Sequence, residues 1–306
     1  MHNEFDVIVV GGGPAGCSAA MFMARCKHKT LVIDKNDGTS YLGALGNISC
    51  FPGFSEPVTG RELLQKMKKQ AELEGVRFSK GAVTAIAADS TLKRIITDNN
   101  EEHTARAVVI ATGAASRKNY LNGEREFLGK GVSHDVMADG PSVARRHAAV
   151  VGKNREAADG ALFLSRFAEK VYLIIPSNRL DADEKIVEQL QKSKTIELHF
   201  SSSIKRVNGR EGVTSISVLS AGKEKEIPVT GVFTYAHEYQ TTTAFLEKVI
   251  ELAAAGSVKV DERLATSADG VFACGDALCG RPQLPAIAAA QGILAGVSAD
   301  KYLATI

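Results

Sequence analysis

Phe5-Asp6-Val7-Ile8-Val9-Val10-Gly11-Gly12-Gly13-Pro14-Ala15-Gly16 decides the fold. The first half is a short, nearly continuous apolar run, the pattern of a strand buried on both faces. The second half satisfies G-x-G-x-x-G, and an apolar-periodic segment from about Pro14 to Arg25 follows it, which predicts a helix. A second apolar run, Thr30-Leu31-Val32-Ile33-Asp34, comes next. Strand, glycine turn, helix and strand within about 30 residues form the opening unit of a dinucleotide-binding fold. Gly11 allows the tight turn, Gly13 lets a pyrophosphate approach the backbone, and Gly16 lets helix and strand pack closely. Pro14 and Ala15 open the helix, where phosphates would meet unpaired N–H groups and the positive dipole end. Asp34, 18 residues beyond Gly16, ends the second strand, where a carboxylate can accept hydrogen bonds from ribose hydroxyls.

Outward from this unit, Thr59 is placed to cap a helix with Leu63, Leu64, Met67 and Ala71 on one face, before Gly75 stops it. Lys66, Lys68 and Lys69 read as the wet face of that helix. Residues 107–113, Ala-Val-Val-Ile-Ala-Thr-Gly, form a further buried strand. A polar stretch over 116–130 then reads as a crossing into a second unit, where the pattern restarts with a strand at 147–152, a helix at 157–167 and a strand at 170–175. Short polar strands continue to Thr234. The tail returns to the first style with Gly-Val-Phe-Ala-Cys-Gly-Asp-Ala at 270–277 and an apolar helix from Ala286. The expected fold is α/β, with two Rossmann-like units, the second inserted in the first. Residues 1–115 and 240–306 make the first and 116–239 the second.

Composition bounds the rest. The chain has 306 residues, enough for two cores, with 44% apolar and 24% charged residues. A formal charge of +2 gives no global field that favours nucleic acid or a membrane surface. No secretory signal pattern opens the chain, and no apolar run of about 18 residues suggests a spanning helix. Five cysteines, Cys17, Cys26, Cys50, Cys274 and Cys279, contain no CxxC and no zinc spacing, which suits a reducing cytoplasm.

Two further segments favour FAD over NAD at the first glycine turn. One is Ala111-Thr112-Gly113, after its buried strand. The other ends in Gly275-Asp276, placing Asp276 toward the ribityl and phosphate side of an extended flavin dinucleotide. The order and spacing of VIVVGGGPAGCSAA, CFPGF, VVIATGA, GKGVSHDVMADG, ALFLSRFAEKVYLI and TSADGVFACGDA resemble the low-molecular-weight thioredoxin reductases over nearly the whole chain. That resemblance implies an FAD domain made of both chain ends, an inserted central domain and a homodimer. It implies FAD contacts at Gly11, Gly13, Pro14, Ala15, Gly16, Asp34, Lys35, Ala111, Thr112, Gly113, Gly275 and Asp276. It places Tyr41, Asn47 and Cys50 close to the cofactor and Val83 near the adenine. Gln283, Leu284, Pro285 and Ala286 would pass the pyrimidine edge of the flavin, where a helix start favours negative charge on the reduced ring.

Two departures from that pattern redirect the functional expectation. Where the family carries Cys-x-x-Cys-Asp, this chain reads Asp135-Val136-Met137-Ala138-Asp139, so neither sulfur is present and dithiol chemistry at this position is excluded. Where the family's second glycine motif receives NADPH, this chain reads Gly152-Lys153-Asn154-Arg155-Glu156-Ala157, with a side chain at the position that a phosphate should approach. The family's basic cluster after the next strand is replaced by Ile175-Pro176-Ser177, with only Arg179 nearby. The expectation is an FAD-dependent oxidoreductase without a dithiol site, whose electron donor is a carrier such as ferredoxin or flavodoxin in place of NADPH. A non-catalytic flavin-binding protein and an NADH-dependent flavin reductase are the alternatives. Cys50, His134 and His237 are the side chains whose chemistry the sequence leaves open; no catalytic residue is assigned.

Overall fold

A computed structural model describes residues 3–35, 41–44, 47–48, 51–56, 58–88, 91–116, 121–235, 239–253, 256–278 and 284–306. Its larger sheet has seven strands. The strand Asn3–Val10 lies at its centre, with Thr30–Asp34 parallel on one side and Glu102–Ile110 parallel on the other. Arg77–Lys80 extends the sheet beyond Thr30–Asp34. The free side of Glu102–Ile110 is shared: its first half pairs antiparallel with Lys93–Thr97, and its last three residues pair parallel with Val271–Ala273. Both ends of the chain therefore complete one sheet. The register sets Val10 opposite both Ile33 and Ile110, and Ile110 opposite Ala273, so these parallel strands end at one edge.

The helices Pro14–Arg25 and Pro285–Leu303 pack closely on one another. Small residues permit it, since a Cβ added at Gly292 would stand 2.1 Å from the carbonyl oxygen of Ala15. The C-terminal helix is also tied down by Lys93, which is only 1% exposed. Its ammonium donates to the Tyr302 hydroxyl at 3.1 Å and lies over the Tyr302 ring. The helix Gly60–Leu73 starts with the capping box that Thr59 announces, Thr59 Oγ1 accepting from the Glu62 N–H at 3.2 Å while Glu62 accepts from the Thr59 N–H at 2.9 Å. Leu63 and Ala71 are buried on its inner face.

A second, five-stranded parallel sheet runs in the order Val132–Ser133, Gly231–Thr234, His147–Val151, Lys170–Ile174, Ile196–His199. The helices Arg155–Leu164 and Glu184–Lys192 bury Ala157, Ala158, Ala161, Leu164, Ile186 and Leu190 in the core of this unit. A three-stranded antiparallel meander, Ser202–Gly209, Val213–Ser220 and Lys223–Pro228, packs on its other side. Ala114–Ser116, just beyond the strand Glu102–Ile110, pairs antiparallel with Tyr239–Thr241, just beyond the strand Gly231–Thr234.

Candidate dinucleotide site and remodelled central segment

The glycine turn leaves the central strand at the shared carboxyl edge, where an open α/β sheet places its ligands. Gly11 has φ +107°, and a Cβ there would stand 2.3 Å from the Ala111 carbonyl oxygen. A Cβ on Gly16 would stand 1.8 Å from the Gly11 carbonyl oxygen, which explains the demand for close helix–strand packing. Gly13 differs from both. A Cβ there would meet nothing within 4 Å, so its bare backbone fronts open space at the start of the Pro14–Arg25 helix.

Four chain segments converge on this space. Gly11 touches Ala111 and Thr112, and the Cβ position of Gly275 lies 2.9 Å from Ala15. The Gly275 N–H donates to Gln291 Oε1 at 2.8 Å, fixing the Gly275-Asp276 turn to the C-terminal helix. Thr112 accepts at its carbonyl from Thr242 at 3.0 Å, yet its buried hydroxyl has no hydrogen-bond partner among the described residues. Asp276 likewise has no hydrogen-bond or ion-pair partner among the described residues, and burial pushes its carboxyl up to about 6. A bare glycine turn at a helix start, a buried hydroxyl and a carboxyl without partners among the described residues fit a polar, phosphate-bearing dinucleotide.

Asp34 ends its strand at the same edge. One of its oxygens accepts from the Gly12 N–H at 2.5 Å and the other lies 3.7 Å from Lys68 Nζ. Lys68 is not a wet-face residue: it is half-buried, with its ammonium over the Phe78 ring. The helical pattern misplaced it because its long stem crosses the helix edge to reach the Asp34 carboxylate. Lys35 is exposed beside Asp34. Val83 begins the next strand, two residues beyond Gly81, whose N–H donates to the Asp34 carbonyl. Leu284 and Pro285 begin the C-terminal helix, with Ala286 in its first turn. The backbone of Tyr41 lies in the short helix Tyr41–Ala44 and that of Asn47 in the strand Asn47–Ile48. Cys50, Gln283 and His237 lie outside the described residues, as does Cys279.

Gly131 (φ +108°) introduces the remodelled segment. The Ser133 hydroxyl donates to Asp139 Oδ2 at 2.6 Å and accepts from the Asp135 N–H at 3.0 Å; Asp135 Oδ1 in turn accepts from the Met137 N–H at 2.9 Å. The side chain of Asp139 forms no cap to the turn that follows it. Desolvation holds its carboxyl above the usual range, opposed by the Ser133 hydrogen bond and assisted by the charge of Asp135. His134 Nε2 lies 2.8 Å from Glu124 Oε1, both side chains being buried, and the other Glu124 oxygen accepts from the Leu121 N–H at 2.7 Å. The short helix Val136–Asp139 lies against the strand Asn47–Ile48. Burial pushes the thiols of Cys17 and Cys274 up to about 12, so neither supplies a thiolate near neutral pH.

At the second glycine turn, Asn154 caps the helix Arg155–Leu164, its Oδ1 accepting from the Ala157 N–H at 3.1 Å. Lys153 lies 3.6 Å from Asp181, Arg179 lies 3.8 Å from the same carboxylate, and Arg155 pairs with Asp183.

The two sheets, each with a glycine turn at the carboxyl edge of its parallel strands, define an α/β flavoprotein of the two-dinucleotide-fold class. The chain belongs to the pyridine nucleotide-disulphide oxidoreductase family, whose model matches residues 5–292. It is 34% identical over 301 residues to the thioredoxin reductase of Aquifex aeolicus (strain VF5), covering 98% of this chain and 93% of that one. It is 32% identical over 308 residues to the thioredoxin reductase of Treponema pallidum (strain Nichols), covering 100% and 99%. Among solved structures, thioredoxin reductase from Giardia duodenalis superposes with a TM-score of 0.94 at 29% identity, covering 99% of this chain and 100% of that one. FAD is the cofactor of this family, and the protein is an FAD-dependent oxidoreductase of thioredoxin-reductase fold. Among the described residues no helix is long and apolar enough to cross a membrane, and no cluster of His, Cys, Asp and Glu is placed to hold a metal.

Proposed function

We propose that this oxidoreductase passes electrons through FAD without a dithiol and without NADPH as its ordinary donor, a reduced carrier such as ferredoxin or flavodoxin supplying them. The observation that carries this reading is Asn154. Its side chain takes the helix N–H that a dinucleotide phosphate would need, and its Cβ stands where the phosphate would approach. The absence of any CxxC, with Asp135 and Ala138 at the positions of the resembled dithiol, supports the same reading for the acceptor. The curated relatives above are named thioredoxin reductases; that activity is not proposed for this chain.

In this reading residues 1–115 and 240–306 form the FAD domain, with 116–239 inserted and the protein acting as a homodimer. Gly13, Pro14, Ala15 and Gly16 hold the pyrophosphate. Thr112 and Asp276 offer a hydroxyl and a carboxyl toward the dinucleotide, and Asp34 faces the adenosine ribose. Flavin supports one- and two-electron steps by itself, so the protein need only bind, orient and expose it. A hydride donor must reach about 3–3.5 Å from its acceptor in a defined pose. A docked carrier needs only approach to the flavin edge. Anaerobic stopped-flow mixing of the FAD-loaded protein with reduced ferredoxin, reduced flavodoxin, NADH or NADPH tests the idea by bleaching of the flavin band. The carriers should be faster. Faster bleaching by either nicotinamide would overturn the reading, and no bleaching by any donor would leave a flavin-binding protein without turnover.

A further inference from the structure

The second glycine turn is not merely missing its ligand contacts; the chain has placed its own anions there. The Asp181 N–H donates to the Lys153 carbonyl at 2.6 Å, and Asn154 and Asp181 bridge as a parallel pair. These backbone contacts hold the carboxylate of Asp181 within 4 Å of both Lys153 and Arg179, while Asp183 engages Arg155 across the helix start. Arg155 is further engaged by Asp159 at 3.4 Å, and Glu156 stands in the first helical turn. Four carboxylates thus share the neighbourhood with three cations.

We propose that Asp181 and Asp183 are specificity-determining residues that exclude the pyrophosphate of nicotinamide nucleotides from this turn. The inference rests on the reading that such nucleotides are not the ordinary donor, and names the charges that enforce it. An entering pyrophosphate would have to displace a carboxylate from each cation and then lie beside it. These side chains are about half exposed or more, so the pairs add little to folding. Their effect falls on the approaching anion, well inside the screening distance of about 8–10 Å at ordinary salt. Excluding a wrong ligand by like charge is a general route to specificity.

The test is binding, read without electron transfer. Isothermal titration of FAD-loaded protein with NADP⁺ is compared at low and at moderate salt for the parent, Asp183→Asn, Asp181→Asn/Asp183→Asn, and the double variant carrying Asn154→Gly. Removing both carboxylates should tighten NADP⁺ binding at least tenfold at low salt, with a smaller gain at moderate salt. Asp183→Asn alone should give part of that gain, and Asn154→Gly should add to it. An unchanged affinity in Asp183→Asn and in the double variant, with the flavin spectrum intact, would overturn the proposal, as would micromolar binding by the parent. Failure of carriers to reduce the flavin would undo the donor reading and leave this result standing. Failure of the carboxylate variants would do the reverse.

Discussion

The side-chain oxygen of Asn154 accepts a hydrogen bond from the Ala157 N–H at 3.1 Å, so the helix that opens the second α/β unit carries its own cap. An Asn cap is worth about 1 kcal/mol relative to Ala and only a few tenths relative to Gly. Asn154→Ala should therefore lower stability by about 1 kcal/mol in urea denaturation, whereas Asn154→Gly should be nearly neutral. The Gly variant also frees the backbone for a phosphate. Combined with Ser177→Arg, it should raise the rate of flavin bleaching by NADPH above that of the parent.

Gly13 and Gly16 are three residues apart and should fail in opposite ways. Gly13 has φ −75° and nothing within 4 Å of its Cβ position, so Gly13→Leu should fold and show an unchanged far-ultraviolet spectrum. It should nevertheless emerge without FAD, because the side chain fills the space in front of the turn. The parent should hold about one noncovalent FAD per chain. Gly16→Leu drives a side chain into the Gly11 carbonyl and should not accumulate as folded protein. Flavin retained by Gly13→Leu would argue against this turn as the pyrophosphate site.

Most of this architecture was legible in the sequence, for a simple reason. Strands such as 5–10 and 147–152 are buried on both faces, and a side chain in the first glycine turn would clash, a Cβ at Gly16 standing 1.8 Å from the Gly11 carbonyl oxygen. What the sequence hid is pairing across distance. Lys68 looks like a solvent-facing residue by helical period, yet it reaches Asp34 from a different element. Asp181 and Asp183 belong to an unremarkable polar loop, and only the fold brings them to Lys153 and Arg155. Thr112 and Asp276 stand out by motif, but the partnerless Thr112 hydroxyl and the raised Asp276 carboxyl become visible only with the surrounding atoms in place.

Asp276 makes the FAD-free protein sensitive to pH. Burial raises its carboxyl to about 6 in the folded chain, above its ordinary value of 3.8. The folded state therefore binds the proton more tightly than the unfolded one. The stability associated with that proton is fully present below about pH 4 and is lost as pH rises to about 6. At about 1.36 kcal/mol per unit, the loss is on the order of 3 kcal/mol. Asp276→Asn removes this dependence. Its stability relative to the parent should rise across that window and level off above it, as measured by denaturation of deflavinated protein at stepped pH. A constant difference from pH 4 to 7 would contradict the burial argument.

Disulfide chemistry offers a sharper check on the remodelled segment. With Asp135 and Ala138 at the positions of the resembled dithiol, no mixed disulfide can form there. NADPH-dependent reduction of a disulfide substrate should stay at the level of a protein-free control. Robust reduction that scales with enzyme and disappears in a variant without cysteines would mean that the remaining thiols had taken over.

The buried Glu124–His134 pair gives the last prediction. The chemistry that the sequence leaves open at His134 is narrowed by its surroundings, since its Nε2 lies 2.8 Å from a carboxylate that is itself held by the Leu121 N–H. A ring held in this way is suited to anchoring the segment that begins at Ser133. Removing one member of a buried pair leaves the other charge without that partner, at a cost of about 3 kcal/mol. His134→Ala should therefore lower stability by about that amount, whereas His134→Gln, which can still donate to Glu124, should recover most of it. Flavin reduction by the effective donor should change less than about twofold in His134→Gln, since a factor of 2 is well under the 10²–10⁴ associated with a lost general acid. A loss of 100-fold or more in the Gln variant, with stability retained, would instead make His134 the proton donor.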